Sequence, residues 1–362
     1  MKLWMLCGVT VCASTLAFAQ DGASPEPAGA SIDAPAEAPA PGMEITPELQ
    51  RAIDRGLEAL STMQTGEGAF PVQRFERHVG ITALACLAFM ADGNAPGRGR
   101  YGEEVERGLE FVLNNVQETG LLAGEDVSHG PMYGHGFATL FLGEVYGMTK
   151  GGGDDERSRR LHDVLVRACR LIVESQNDEG GWRYNPTPAD ADISVTICQI
   201  MALRAARNAG IEVPKSTIDR AVEYVRLCQA EDGGYRYQIS RGGSAWPRSA
   251  AGVASLYYAG IYEGDELERG LAYLRDNAMP GVQTAGGRGG SHYFYGHYYA
   301  AQAMFLAGGE HWETWWPAIR GELLDRQNED GSWSDVYGTA YATSMSLIIL
   351  QMPNRYLPIF QK

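Results

Sequence analysis

A Gln, three residues, a Gly, one further residue and an aromatic recur four times in this chain, at 64–70, 176–182, 229–235 and 327–333. Gln176 and Gln229 stand 53 residues apart, and the other two intervals are each about twice that step. Degenerate copies at 116–120 and 277–281 fill the gaps, so residues 44–362 divide into six units of one period. A period of this size means supersecondary units that stack into a solenoid or close into a ring.

Each unit carries two helical patterns of different character. One is amphipathic: residues 46–64 set Leu49, Ile53, Leu57, Leu60 and Met63 at spacings of three and four with charges between them, behind a Thr46-Pro47 cap and first turn. Similar stretches run over 102–117, 156–176, 215–229, 264–278 and 312–327. The other is apolar or small on nearly every face, at 79–90, 137–145, 193–203, 250–258, 298–306 and 341–350. A helix apolar all round is a buried helix. The pattern predicts an all-α fold, an α6/α6 toroid of six inner and six outer helices, with the inner helices parallel. An open superhelix of six hairpins is the alternative, and the small residues of the inner helices favour closure. Within the repeated phrase, Gly suits a left-handed helix stop, the Gln side chain can bond backbone groups and the aromatic can wedge between units. The acidic runs beside it lack the alternating ligands of a calcium loop.

The ends read differently. Lys2, an apolar run to Leu16 and Ala17-Phe18-Ala19 form a secretory leader over 1–19, too short to span a bilayer. Residues 20–43 are rich in Ala and Pro and read as a disordered linker. The expected location is therefore outside the cytoplasm. The net charge of −15 includes Lys2 against Asp21, Glu26, Asp33 and Glu37, which leaves −12 on the folded part. That balance argues against nucleic acid and anionic membrane surfaces as partners. Cys86, Cys169, Cys198 and Cys228 show no CxxC spacing and sit in apolar stretches, which favours buried free thiols; export would also permit disulfides, whose pairing sequence cannot give.

Parallel inner helices bring their first turns to one mouth, so the residues just before and within those turns are the candidate site. Tyr133-Gly134-His135 and Tyr295-Gly296-His297 lie 162 residues apart, three repeats, as if a half-ring were duplicated. His78, Trp246, Arg248 and Tyr337 fall at equivalent places, and Tyr293 and Tyr298 add aromatic surface. The predicted ligand-binding set is thus Tyr133, Trp246, Tyr293, Tyr295, Tyr298, Tyr337, His78 and Arg248, in an aromatic-walled cavity. Asp190 and Asp192 open the third inner helix. Adjacent units touch in a ring, so His135 and Asp192 form a candidate acid–base pair, with Asp190 and His297 as further catalytic candidates. A capping role for Asp192 and structural roles for the histidines are the competing readings.

These residues resemble a known superfamily. The repeated phrase in a double ring of helices is similar to the QW repeats of squalene-hopene and other triterpene cyclases, and more loosely to protein prenyltransferase β subunits. The likeness covers residues 46–353. Gly180-Gly181-Trp182-Arg183-Tyr184 followed by Asp190-Ala191-Asp192-Ile193-Ser194 resembles the cyclases' Gly-Gly-Phe segment and their Asp-x-Asp-Asp-Thr acid motif. The resemblance implies an isoprenoid or other hydrophobic ligand and places Asp192 at the protonating position. Ile193 and Ser194 depart from the motif, and the chain supplies one helical ring where the cyclases use two. The prenyltransferases' Asp-x-Cys zinc segment is absent, and no metal or cofactor is expected. Two rival functions remain: a glycan-active α6/α6 barrel of lyase type, and a non-catalytic ring that holds a protein partner. A deep dry aromatic cavity favours the hydrophobic ligand, a wet polar groove the glycan, and a filled centre the partner.

Overall fold

The computed structural model describes residues 45–73, 75–127, 129–149, 155–281 and 292–361; the leader and linker expected over 1–43 lie outside them. Twelve α-helices run through the described residues, alternately amphipathic and apolar. The first half holds α1 (Pro47–Thr62), α2 (Val79–Met90), α3 (Gly102–Asn114), α4 (Met132–Met148), α5 (Glu156–Glu174) and α6 (Ile193–Asn208). The second holds α7 (Lys215–Cys228), α8 (Trp246–Tyr258), α9 (Asp265–Asn277), α10 (Tyr293–Ala307), α11 (Gly309–Asp325) and α12 (Thr339–Leu350). The expected Thr46 cap forms, its Oγ1 accepting from Leu49 N at 3.2 Å ahead of Pro47.

The even-numbered helices make the inner layer. Each packs on the next, α2 on α4, α4 on α6, α6 on α8, α8 on α10 and α10 on α12, and α12 returns to α2, so the ring is closed. The odd-numbered helices lie outside, each against an inner neighbour, and α1 meets both α11 and α12 at the closure. This is the expected α6/α6 toroid. Small residues permit the tight inner contacts: a Cβ on Gly80 would lie 2.7 Å from Gly134 Cα, and one on Gly136 would lie 2.8 Å from Cys198 Cβ. The apolar inner helices are buried on nearly all faces, as in α2, where eleven of twelve residues are buried. Four cysteines are free and buried, and burial pushes the Cys169, Cys198 and Cys228 thiols up to about 12.

The repeated phrase is a clasp between successive units. Gln64 Nε2 donates to Gly68 O at 3.1 Å and reaches the next outer helix at Glu104 O, 2.9 Å away. Gln176 does the same with Gly180 O and Thr217 O, Gln229 with Gly233 O and Glu266 O, and Gln327 with Gly331 O and Ala52 O. An arginine from that next helix donates back to each Gln Oε1: Arg107, Arg220, Arg269 and Arg55 in turn. The glycines have φ between 85° and 95°, and a Cβ on any of them would collide with the carbonyl oxygen of the same arginine. The aromatics Phe70, Trp182, Tyr235 and Trp333 are essentially inaccessible, and each backbone N–H donates to a hydroxyl on the adjoining inner helix, from Thr82, Thr196, Ser249 or Thr343. The last clasp, Gln327 to Ala52 with Arg55, joins the sixth unit to the first.

Beyond α12 the chain turns back across the C-terminal ends of inner helices. Gln351 Nε2 donates to Ala88 O, Asn354 Nδ2 to Ala91 O, and Ile359 N to Glu144 Oε2 at 3.1 Å. Leu357, Ile359 and Phe360 are buried there. Burial lifts the Glu144 carboxyl to about 8, the backbone donor at Ile359 opposing it. The ring is thus covered at this end on the α2–α4–α6 side.

Candidate functional site

At the other end, the first turns of all six inner helices surround a cavity of about 510 Å³. Its wall takes His78, Gly80, Ile81 and Leu84 from α2 and its cap, Tyr133, Gly134 and Phe137 from α4, and Ser194 from α6. Pro247 and Arg248 come from α8, His292 and Tyr295 from α10 and its cap, and Tyr341 and Met345 from α12. The incoming loops add Phe75, His129, Tyr184, Tyr237 and Tyr337. The cavity stops halfway down the ring. Phe137 meets Tyr298 from the opposite side with ring centroids 6.0 Å apart, and Cys198 Sγ lies 3.3 Å from Tyr299 OH, also across the ring. Those contacts close the ring below the cavity and leave the mouth open, so the centre is only partly filled and the site is an aromatic bowl and not a tunnel.

Five of the eight residues predicted to bind ligand line this bowl: Tyr133, Tyr295, Tyr337, His78 and Arg248. The other three turn elsewhere. Tyr298 is in the floor packing, Trp246 lies over Gly296 and against His297 at 4.7 Å between ring centroids, and Tyr293 stacks edge-on against His297 at 4.5 Å. On a helix a step of one or two residues rotates a side chain by 100° or 200°, so Tyr295 faces the cavity and Tyr293 the outer layer.

None of the four catalytic candidates lines the cavity. His135 is fully buried, its Nδ1 accepting from Leu122 N at 3.1 Å and its Nε2 3.2 Å from Ala168 O. With one nitrogen accepting from an N–H, the other carries the proton and donates to the carbonyl, which fixes a neutral ring. Burial holds its pKa down at about 4, the Ala168 carbonyl pulling the other way. The expected pairing with Asp192 is replaced by two backbone bonds. His297 sits among Trp246, Tyr293 and Trp315, its Nδ1 without a hydrogen-bond partner, and burial lowers its pKa to about 3.

Asp192 is an inaccessible N-cap: Oδ1 accepts from Ser194 N at 2.8 Å and Val195 N at 3.0 Å. Oδ2 lies 3.1 Å from Arg183 Nε, an ionic contact without the alignment of a hydrogen bond, and accepts from Tyr237 OH at 3.4 Å. Burial raises the carboxyl to about 6 against the cap bonds and Arg183. Asp190 is half exposed and pairs with Arg183, whose guanidinium lies over the rings of Tyr184 and Tyr237 at 4.6 and 5.5 Å. Tyr184 OH and Tyr237 OH bond to each other, and both tyrosines line the cavity. Asp192 therefore reaches the cavity only through Tyr237.

His129, His292 and Tyr184 are lining residues that sequence reasoning missed. Their signal was positional: each lies in the segment leading into an inner helix, as the recognised Tyr337 does.

Comparison with known proteins places the fold among terpene-cyclase-like and glycosidase toroids. No family model matches the chain. It is 25% identical over 191 residues to the drimenyl diphosphate synthase of Streptomyces showdoensis, 52% of this chain and 32% of that protein. The chain thus spans about a third of that curated relative. Among solved structures, the type II terpene cyclase MstE from Scytonema matches with a TM-score of 0.58 at 16% identity, over 86% of this chain and 99% of that one. An α-1,6-mannanase of Salegentibacter sp. HEL1_6 in complex with α-1,6-mannotriose matches with 0.60 at 12% identity, over 84% and 98%. At these identities the likeness is one of fold: the α/α toroid is common to all three.

Proposed function

We propose that this protein is an exported terpene-cyclase-like toroid that binds an isoprenoid or another elongated hydrophobic ligand in the aromatic bowl. The observation that carries this reading is the bowl itself, about 510 Å³, to which every inner helix contributes and whose wall is mainly tyrosine, phenylalanine and histidine from α4, α10, α12, the α2 cap and the incoming loops. That volume lies in the range of drug-sized ligand pockets, which are mostly apolar with a few polar groups. The match to drimenyl diphosphate synthase and the MstE fold support a terpenoid-like ligand, and the leader over 1–19 supports export. The glycan reading has the mannanase fold in its favour. A hydrolase needs two carboxyl groups about 5–9.5 Å apart at the scissile bond, and no Asp or Glu is among the described lining residues; a lyase of the expected type would call on His135 and His297, and neither lines the bowl, so we rank the glycan reading second.

If Asp192 takes part in chemistry, it acts behind Tyr237 and Tyr184 and not by direct contact, because its oxygens are held by the α6 N-terminus, Arg183 and Tyr237. The test is mass spectrometry of small molecules extracted from the protein purified from an exporting cell, beside an Ala245→Trp variant that fills the bowl. A lipid-like species retained by the wild type and lost from the variant is the expected result. The same species in both, or a co-purifying glycan in its place, refutes the reading. An intact Met1 on the exported protein would refute the leader assignment.

A further inference from the structure

Hydrogen-bond donors and acceptors are out of balance in the bowl. No Asp, Glu, Asn or Gln is among its described lining residues, so the wall offers no side-chain carbonyl or carboxylate oxygen. Part of its hydrogen complement is engaged within the protein. Tyr237 donates to Asp192 and so accepts from Tyr184, and Tyr295 donates to Ser194 O at 3.5 Å. Arg248 directs Nε to Tyr235 O and one Nη2 hydrogen to Gly243 O.

Three further hydrogens face the cavity without an acceptor. Tyr133 of α4 and Tyr341 of α12 both line it and make no hydrogen bond among the described residues; burial pushes both phenols well above their ordinary range, so each keeps its O–H. The third belongs to His78, whose Nδ1 accepts from Ile81 N at 3.4 Å, which in the neutral ring puts the proton on Nε2. Burial keeps that ring neutral, its pKa lowered to about 4 against the pull of Asp126, and Nε2 has no acceptor among the described residues. The three groups share one side of the bowl, because α2 packs between α12 and α4. The His78 ring also lies against Gly134, next to Tyr133: a Cβ on Gly134 would stand 3.4 Å from His78 Cε1. Charge does not choose the occupant, since Asp335 acts on His292, Asp126 acts on His78, and burial lowers both histidines. What the wall asks for is an acceptor without a hydrogen of its own. An alkene would leave all three donors unpaired on displacing solvent, and a sugar would bring a new donor with nearly every acceptor.

We propose that the bowl holds a neutral carbonyl compound on a hydrocarbon frame, its oxygen accepting from His78 Nε2 and from a tyrosine hydroxyl of α4 or α12, with the frame laid over Leu84, Phe137 and Met345. A carbonyl oxygen has two acceptor sites and no hydrogen, which is the complement of two convergent donors. The inference rests on the hydrophobic-ligand reading above and adds the one polar group such a ligand carries. No bond is made or broken; the assignment is one of binding chemistry.

The experiment is a set of binding titrations on the full chain with three probes of one skeleton: geranylacetone, the alcohol made by reducing its carbonyl, and the hydrocarbon left when the oxygen is removed. The ketone is expected to bind about three- to tenfold more tightly than either, the order that one neutral hydrogen bond supplies, with a margin that salt leaves unchanged. Bound ketone labelled at its carbonyl carbon should absorb in the infrared at a lower frequency than in a hydrocarbon solvent. His78→Ser keeps a capping side chain on α2 and withdraws the inward N–H. It should remove most of the ketone's margin, move the carbonyl band back toward the solvent value and leave the hydrocarbon within about twofold. Tyr133→Phe and Tyr341→Phe delete hydroxyls that no described protein group uses, and one of the two should act on the ketone in the same way. Alcohol or hydrocarbon binding as tightly as the ketone, or a carbonyl band that His78→Ser leaves in place, overturns the proposal while leaving the hydrophobic-ligand reading intact. Failure of all three probes to bind overturns both.

Discussion

The two Tyr-Gly-His segments, 133–135 and 295–297, begin equivalent inner helices with the same three residues, and the ring uses them differently. Both tyrosines face the bowl. Gly134 packs against Gly80 and the His78 ring at ordinary contact distances, whereas Gly296 lies under the Trp246 ring, where a Cβ would collide. His135 is tied by both nitrogens to backbone, while His297 is enclosed by rings with Nδ1 unpartnered. Position on the inner helix sets the direction of each side chain; the outer layer it meets sets its chemistry. In the second unit the surroundings offer Ala168 O from α5 and Leu122 N from the loop before α4, and in the fifth they offer Trp315 from α11 and Tyr293 one turn back on α10.

The largest separation between the two copies is expected from removing each imidazole. His135→Leu strands the Leu122 N–H in the core and should lower unfolding stability by about 2–4 kcal/mol, since an unpaired buried donor alone costs about 1–3. His297→Leu removes a group with an unpaired nitrogen and should stay within about 1 kcal/mol, the lost ring stacking partly offset by relief of that nitrogen. Urea midpoints at constant m-value would check this, and equal losses would mean that the two histidines do the same work.

A methyl probe sharpens the glycine half of the comparison. Gly296→Ala must displace Trp246 and should destabilise by about 1–3 kcal/mol. Gly134→Ala meets its nearest atoms at 3.4 and 3.5 Å, so the helix-propensity gain of about 1 kcal/mol should leave it neutral or slightly stabilised. Thermal unfolding of the pair reads the difference directly.

Acid should distinguish the copies more weakly. Both histidines have folded pKa values, about 4 and about 3, below the unfolded value near 6.5. Their contribution is therefore complete above pH 6.5 and is lost as pH falls, at up to about 1.4 kcal/mol per pH unit for each ring. His135 stops contributing to that slope below about 4 and His297 only below about 3. Replacing either ring by Leu should flatten stability against pH between 6.5 and 4. The smallest effect belongs to the tyrosine hydroxyl of the fifth unit: Tyr295 OH lies 3.5 Å from Ser194 O, and Tyr295→Phe should change stability by under about 1 kcal/mol.

The ring itself was legible in the sequence because its signals repeat. Six alternations of amphipathic and apolar stretches fix layer, order and polarity, and the inner helices appear where the all-apolar runs predict them. Depth within the mouth was partly legible, since Tyr133, Tyr295, Tyr337, His78 and Arg248 do line the bowl. Facing was not. An inner helix apolar on every side carries no stripe to mark which residue points inward, so sequence alone groups Tyr293, Tyr298 and Trp246 with the site although they pack behind or below it. Asp192 was hidden for another reason: a helix N-terminus and a nearby arginine consume its oxygens, and neither is visible without the fold. The returning arginines of the clasps did leave a trace, at 43, 44 and 40 residues beyond Gln64, Gln176 and Gln229, too irregular in offset to stand out as part of the phrase.

The clasp from Gln327 to the first outer helix makes the number of units a discrete quantity. An open solenoid tolerates an extra repeat as added length and shields its two terminal repeats with polar caps. Here the last unit docks on the first through the same Gln, Gly and Arg geometry as three of the five internal junctions, so no repeat is terminal. A change in the number of units would have to alter the angle at every seam for the circle to close again. Insertion of a single repeat is therefore a global change here and a local one in a solenoid, and the three-repeat spacing of the two Tyr-Gly-His segments is the arithmetic expected if half a circle was copied at once.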